Sequence, residues 1–420
     1  MLNSKPRAEL PFEADDDHVW RPPAESRSFA LPSDAPELAP AILLGSAVAP
    51  WPQAWVNLDP NDLIQFSQQA ANAPAPLPEA QRSRRALIVI PCLNEEALIA
   101  GVIGRILEDD GLVDPVVLVA DGGSTDRSRE IVAEIAARDP RVRLVANPDR
   151  LQSAGVNRAA GLGDDRRWLV RIDAHADYPK NYVSTLIAEA QRTGAHSVVV
   201  AMDTVGEEAF QRAVAAAQNS RLGTGGAAHR VGAQAGWVDH GHHALFSREA
   251  FLSVGGYDET FSHNEDAELD LRLAREGARI WLTDRTRIVY RPRKTPGALW
   301  KQYVSYGKGR CRTALKHYEP LKLRQALPLA VAPAVLGALA APLFWPLAIP
   351  ALVWALAALA YGVVLGAKTK DPAVALLSGA AAMIMHLGWS LGFWLQLGRS
   401  FAERPRTPDD PRLATASAAS

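Results

Sequence analysis

Residues 86–96 read ALIVIPCLNEE: five apolar residues, a proline, and then a polar cluster with Asn94, Glu95 and Glu96. An apolar, partly β-branched run this short, bounded by proline, predicts a buried strand over Ala86–Pro91. Behind it, Leu98–Leu107 has the apolar spacing of a helix. The same unit then recurs: Val116–Ala120 (VVLVA) reads as a strand and Asp126–Arg138 as a helix. Val142–Val145, Trp168–Ile172 and Ser197–Met202 read as further strands separated by helical stretches. Such alternation predicts an α/β fold of βαβ units, a mostly parallel sheet with helices on both faces. Ligands of open sheets bind beyond the carboxyl ends of the strands, so the chemistry is expected just after these runs.

Working outward, the chain divides by composition. Thirteen of its 30 prolines fall in the first 85 residues, so residues 1–84 read as a proline-rich extension. Trp51, Trp55 and Phe66 suggest that part of it docks. The acidic run Asp15-Asp16-Asp17 is unlike the start of a signal peptide. Lys and Arg total 45 against 46 Asp and Glu, which gives no argument for nucleic-acid binding. Two distant cysteines, Cys92 and Cys311, exclude a disulfide framework and fit a reducing compartment.

Three strand ends carry polar residues: Pro91-Cys92-Leu93-Asn94-Glu95-Glu96, Asp121-Gly122-Gly123-Ser124-Thr125-Asp126 and Asp173-Ala174-His175-Ala176-Asp177. Each alone reads equally well as a helix cap. Downstream lie Gly223-Thr224-Gly225-Gly226, Gly255-Gly256-Tyr257-Asp258-Glu259 and His263-Asn264-Glu265-Asp266-Ala267-Glu268. In this order, over residues 85–312, the motifs resemble the family 2 glycosyltransferases of GT-A fold. With Asp-Ala-His in place of Asp-x-Asp, they are most similar to the succinoglycan-biosynthesis branch.

That resemblance implies an inverting transfer of a hexose from a nucleotide sugar, with UDP-hexose the expected donor, to a lipid-linked glycan in exopolysaccharide assembly. It implies that Pro91, Asn94, Glu95, Asp121 and Asp173 surround the donor and that Asp173 with His175 binds a divalent metal. A diphosphate leaving group gains negative charge as it departs, and Mn²⁺ or Mg²⁺ stabilises it; an imidazole ligand leans toward Mn²⁺. In extended conformation Asp173 and His175 share one face, with Asp177 the alternative ligand. Asp266 is the expected general base, its pKa raised by crowding from Glu265 and Glu268. Asn157-Arg158 reads either as a diphosphate contact or as a solvated helix face. His229, His240, His242 and His243 lack zinc-site spacing and read as a loop near the acceptor or metal. Two rivals remain: a polyprenyl-phosphate sugar synthase and a non-catalytic membrane scaffold with a decayed site.

After the catalytic segment 85–295, residues 296–322 interleave apolar Leu299, Trp300, Tyr303 and Cys311 with Lys301, Lys308, Arg310 and Arg312. This reads as an amphipathic helix on an anionic membrane surface. Gln302 to Arg310 loosely resembles the Gln-x-x-Arg-Trp element of membrane-bound relatives, which makes Arg310 the expected phosphate contact. Residues 323–400 read as about three transmembrane helices, two from Ala326–Gly366 with a turn near Trp345-Pro346 and one over Ala373–Leu397. Lys322, Arg324, Lys368 and Lys370 place those ends in the cytoplasm. The expectation is a multi-pass inner-membrane protein with a cytoplasmic catalytic domain, working beside other polysaccharide-assembly proteins. Residues 401–420 read as a disordered tail.

Overall fold

The computed structural model describes residues 78–162, 165–225, 230 and 234–402. The extension as far as residue 77, with Trp51, Trp55 and Phe66, lies outside the described residues, as does the tail beyond residue 402. One sheet of eight strands has the order β3-β2-β1-β4-β7-β5-β8-β6. The strands are β1 (Ala86–Cys92), β2 (Val116–Asp121), β3 (Val142–Ala146), β4 (Trp168–Arg171), β5 (Ser197–Thr204), β6 (Gly236–Val238), β7 (His242–Ser247) and β8 (Ile280–Tyr290). β1 to β4 pair in parallel, as do β5 and β8. β7 is inserted antiparallel between β4 and β5, and β6 lies antiparallel on β8.

The longer helices are α1 (Ile99–Leu107), α2 (Ser128–Arg138), α3 (Gln152–Gly161), α4 (Tyr182–Thr193), α5 (Ala209–Gln218), α6 (Glu265–Arg275), α7 (Pro296–His317), α8 (Ile349–Thr369) and α9 (Pro372–Ala402). Alternation along β1 sends Ala86, Ile88 and Ile90 to one face, against Ile99, Ile103 and Ile106 of α1 and Val183 and Leu186 of α4. Leu87 and Val89 go to the other, with Val156 of α3, Phe246, Phe251, Tyr257 and Leu269 of α6. A strand apolar at every position is therefore covered on both faces. Ile103 is fully buried, and its loss to alanine should cost about 2–5 kcal/mol.

A third core joins this domain to the C-terminal helices. Val214 and Ala217 of α5, Leu299 and Tyr303 of α7, and Ala381, Ala382 and Met385 of α9 are buried together. The backbones approach closely enough that a methyl at Gly392 would fall 2.1 Å from the Val304 carbonyl oxygen. Leu299, Tyr303 and Cys311, expected on a membrane surface, are thus buried inside the protein. The helix is amphipathic, but α9 covers its apolar side.

Two helices are long and apolar enough to cross a membrane, Trp345–Thr369 and Pro372–Ala402. The first expected span is instead a shorter apolar helix, Leu323–Leu339, whose first turns are tightened around Pro328. The break before Trp345 falls where the sequence placed a turn. Only 11% of the Trp345–Thr369 window is buried, against 44% of that in Pro372–Ala402. The former faces outward; the latter serves as a packing partner for α5 and α7.

Candidate active site

Hydrogen bonds tie together the loops after β1 and β2. Asn94 adopts a left-handed φ of 59°, donates its N–H to Ser124 Oγ (2.9 Å) and accepts from the Thr125 N–H (2.8 Å). The Glu95 N–H donates to Ser128 Oγ (2.8 Å), and Asp126 Oδ2 accepts from the Glu96 N–H (3.1 Å). The buried Asp121 carboxylate accepts from the N–H groups of Gly123 (3.0 Å) and Ser124 (3.2 Å). Pro91 follows the last β1–β4 pair, Val89 with Arg171, so its missing N–H costs that ladder nothing. Pro91, Asn94, Glu95 and Asp121 therefore form one rim at the carboxyl ends of adjacent strands.

β4 ends on Arg171, whose side chain is 6% exposed. Its Nε donates to Asp173 Oδ1 (3.2 Å), and its Nη1 donates to Asp266 Oδ1 (3.0 Å) and the Tyr257 hydroxyl (3.2 Å). Glu265 Oε1 lies 3.9 Å from the same Nη1. Tyr257 donates its O–H to Asp266 Oδ1 (2.8 Å), and Gln152 Nε2 donates to Asp173 Oδ1 (2.6 Å). Three carboxylates thus surround one buried guanidinium. Burial opposes the charge of Arg171, but Asp266 and Asp173 outweigh it and hold its pKa above the ordinary arginine value.

Glu265 and Asp266 open α6, where the helix dipole favours negative charge. Burial, and then the charge of Asp266, pushes Glu265 up to about 7. Glu268 does not contribute to this crowding. Its buried carboxylate is bound by Arg272 (2.6 Å), Lys316 (2.6 Å) and His317 (2.8 Å). One turn after Asp266, Asp270 Oδ2 pairs with His240 Nδ1 at 2.7 Å.

The expected metal ligands are arranged differently from the sequence reading. β4 stops at Arg171, and Ala174–Ala176 turn, with the Ala176 N–H donating to the Asp173 carbonyl (3.2 Å). The two-residue alternation that was to align Asp173 with His175 is therefore absent. His175 is 62% exposed, with Nδ1 3.4 Å from Glu95 Oε1. Asp177, the alternative, pairs with Arg291 (2.7 Å). The imidazole beside Asp173 is His242, Nε2 to Oδ2 3.7 Å, because antiparallel β7 begins where β4 ends.

Burial works against the charge of Asp173, yet Arg171, then His242 and His175, hold it below the usual carboxylate range. Burial pushes His242 down to about 4. Ionised carboxylate and neutral imidazole are the ligating forms. Among the described residues no three His, Cys, Asp or Glu side chains form a metal-binding group. A cation shared with substrate phosphates needs only one or two protein ligands, which this pair can supply.

Two further expectations change. Asn157 is neither a diphosphate contact nor a solvated residue: it is buried, and its amide donates to the Tyr257 carbonyl (2.8 Å) and accepts from the Tyr257 N–H (2.8 Å). Gly256, at φ 69°, leaves room for it, since a methyl there would meet Asn157 Oδ1 at 2.4 Å. Arg310 does not join the strand-end cluster; its charged neighbours are Arg324, Glu319 and Asp270. His229 and the side chain of His243 lie outside the described residues.

The fold, a mixed sheet with its polar residues at the carboxyl ends of β1, β2 and β4 beside an acidic helix start, is of the GT-A type. Residues 87–255 match the model of "Glycosyl transferase family 2". The chain is 53% identical over 316 residues to the succinoglycan biosynthesis protein ExoA of Rhizobium meliloti (strain 1021), covering 75% of this chain and 96% of that protein. The chain belongs to the family 2 glycosyltransferases and is a glycosyltransferase. Among solved structures it is similar to the mannosyltransferase PcManGT from Pyrobaculum calidifontis in complex with GDP-Man and Mn²⁺, at 18% identity and a TM-score of 0.48, over 80% of this chain and 94% of that one. S. aureus TarS is also similar, at 13% identity and a TM-score of 0.38, over 59% of this chain and 42% of that one.

Proposed function

We propose that the protein is an inverting hexosyltransferase that takes its sugar from a nucleotide donor, UDP-hexose, and adds it to a lipid-linked glycan. The similarity to ExoA supports a step in succinoglycan-type exopolysaccharide assembly. The two long apolar helices support insertion in a membrane, which we take to be the inner membrane, and Lys322, Arg324, Lys368 and Lys370 favour the cytoplasmic side for the catalytic domain. The observation that carries the reading is Arg171, one buried guanidinium bonded to Asp173 on the donor side and to Asp266 at the start of α6.

The donor diphosphate lies on the rim built by Asn94, Glu95 and Asp121, near Asp173. Asp173 and an imidazole, His242 or His175, would hold a divalent cation there, and that cation would supply positive charge against the departing nucleoside diphosphate. Asp266 takes the proton of the acceptor hydroxyl. The freed oxygen attacks the anomeric carbon from the face opposite the diphosphate, the anomeric carbon–oxygen bond breaks, and its electron pair leaves with the phosphate. Arg171 and Tyr257 fix the Asp266 carboxylate for this step. Glu265, with a pKa near 7, shares the titration of the pair.

A polyprenyl-phosphate acceptor is already ionised and needs no base. The Glu265–Asp266 pair therefore favours a hydroxyl acceptor. Nucleotide release from a panel of nucleotide sugars, with polyprenyl-linked sugar or polyprenyl phosphate as acceptor, tests this. Release with UDP-hexose and lipid-linked sugar is expected. Release with lipid phosphate alone would assign the synthase activity, and no release with any donor would leave the scaffold.

A further inference from the structure

Among the described residues, Asp173 is held at every polar atom but one. Its N–H donates to the Tyr178 hydroxyl (2.7 Å), and its carbonyl accepts from the Ala176 N–H (3.2 Å). Carboxylate oxygen Oδ1 accepts from Gln152 Nε2 (2.6 Å) and from Arg171 Nε (3.2 Å). Oδ2 accepts no hydrogen bond from a described residue; the group facing it is His242 Nε2, 3.7 Å away. One oxygen of the carboxylate is thus occupied by the protein, and the other is turned toward an imidazole.

The shorter of the two bonds to Oδ1 comes from Gln152, the first residue of α3. The helix itself fixes where that amide starts. Every residue of α3 from Ser153 to Ala160 is buried. It lies so close to β2 that a methyl at Gly155 would meet the Ala120 side chain at 3.1 Å. Asn147 Nδ2 donates to the carbonyl of Leu151, the residue before Gln152 (2.9 Å). Gln152 therefore reaches Asp173, 21 positions further along the chain, from a rigid support.

We propose that Gln152 is a positioning residue that selects the ion at the donor site: by occupying Oδ1 it leaves Asp173 a single ligating oxygen, Oδ2. The proposal rests on the reading above of a divalent cation at the donor diphosphate. Mg²⁺ and Mn²⁺ take compact octahedral sets, in which one carboxylate oxygen fills one position and leaves others for phosphate oxygens and water. Ca²⁺ is larger, takes more oxygens at longer distances and often draws two from one carboxylate. A carboxylate with one oxygen capped serves the smaller ions and handicaps Ca²⁺. Without the Gln152 amide, Oδ1 keeps only the longer bond from Arg171, and the carboxylate is freer to turn both oxygens to an ion.

The test reads nucleotide binding, not turnover. The full-length protein in neutral detergent is titrated with UDP and with GDP by calorimetry, at saturating MnCl₂ or CaCl₂. In the wild-type protein the preferred nucleotide should bind more tightly with Mn²⁺ than with Ca²⁺. Gln152→Met keeps the length of the side chain but donates no hydrogen bond, and it should shrink that ratio of dissociation constants by about tenfold. Gln152→Lys donates again and should return the ratio toward the wild-type value, whatever its added charge does to both affinities. An unchanged ratio in Gln152→Met, with or without a general loss of affinity, overturns the positioning role while the cation site stands. A ratio that stays collapsed in Gln152→Lys overturns it as well, assigning the change to packing. Wild-type binding that is the same after chelation, or no binding of either nucleotide with either ion, overturns the cation reading itself.

Discussion

Arg171 Nη1 lies 3.0 Å from Asp266 Oδ1, and the guanidinium that makes this contact is buried at the end of a central strand. One side chain thereby ties together Asp173, the proposed donor-side carboxylate, and Asp266, the proposed base. Removing it would leave Asp173, Glu265 and Asp266 facing each other without a counter-charge. Breaking a buried pair in this way costs about 3–5 kcal/mol. Arg171→Met should therefore lower the melting temperature markedly and abolish turnover. Arg171→Lys keeps the charge but not the fork, so it should fold and lose turnover mainly in kcat. Near-wild-type kcat in Arg171→Lys would show that the guanidinium geometry is not used.

The two carboxylates at the start of α6 make separable predictions. Asp266→Asn should reduce kcat by about 10²–10⁴-fold while donor binding, measured by calorimetry, persists. Wild-type activity should rise with pH through about 7, as Glu265 ionises beside Asp266. In Glu265→Gln that step should move to lower pH. Stability runs the other way. A carboxyl with a raised folded-state pKa binds its proton more tightly folded than unfolded, so stability falls as pH rises from the ordinary glutamate value toward 7. Glu265→Gln lacks this loss and should gain in melting temperature over wild type more at pH 8 than at pH 5. An unchanged difference between the two pH values would contradict the burial of that charge.

His242 lies beside Asp173, whereas the exposed His175 is turned to Glu95. If cation binding at the donor site follows these contacts, His242→Ala should weaken Mn²⁺-dependent nucleotide binding more than His175→Ala does. Titrating Mn²⁺ against nucleotide affinity in both variants checks this. A larger effect of His175→Ala would mean that the turn over Ala174–Ala176 rearranges to bring His175 to the metal.

Much of the fold was legible because it is local. The strand read at Ala86–Pro91 is Ala86–Cys92, and the helix read at Leu98–Leu107 is Ile99–Leu107. Both follow from apolar spacing between neighbours in the chain. β8 escaped because Thr283-Asp284-Arg285-Thr286 interrupts its apolar run, and the structure absorbs those residues in a register shift opposite Val200 and Ala201. β7 escaped because its two histidines hide a buried strand, and an antiparallel insertion has no local signature. The same insertion made His242 illegible as the neighbour of Asp173. Arg171 could have been suspected: a charge inside Trp168–Ile172, two residues before Asp173, demands a partner if the run is buried. Which carboxylate it would hold depended on a contact across 95 positions of chain.

The central claim is a single displacement at the anomeric carbon, with one carboxylate acting as base. Its most direct measurement is the configuration of the new glycosidic bond. The full-length protein would receive an α-linked UDP-hexose and a lipid-linked acceptor, and the anomeric coupling constant of the product would be read by NMR. The account predicts a β-linked product with stoichiometric release of UDP. An α-linked product would contradict it.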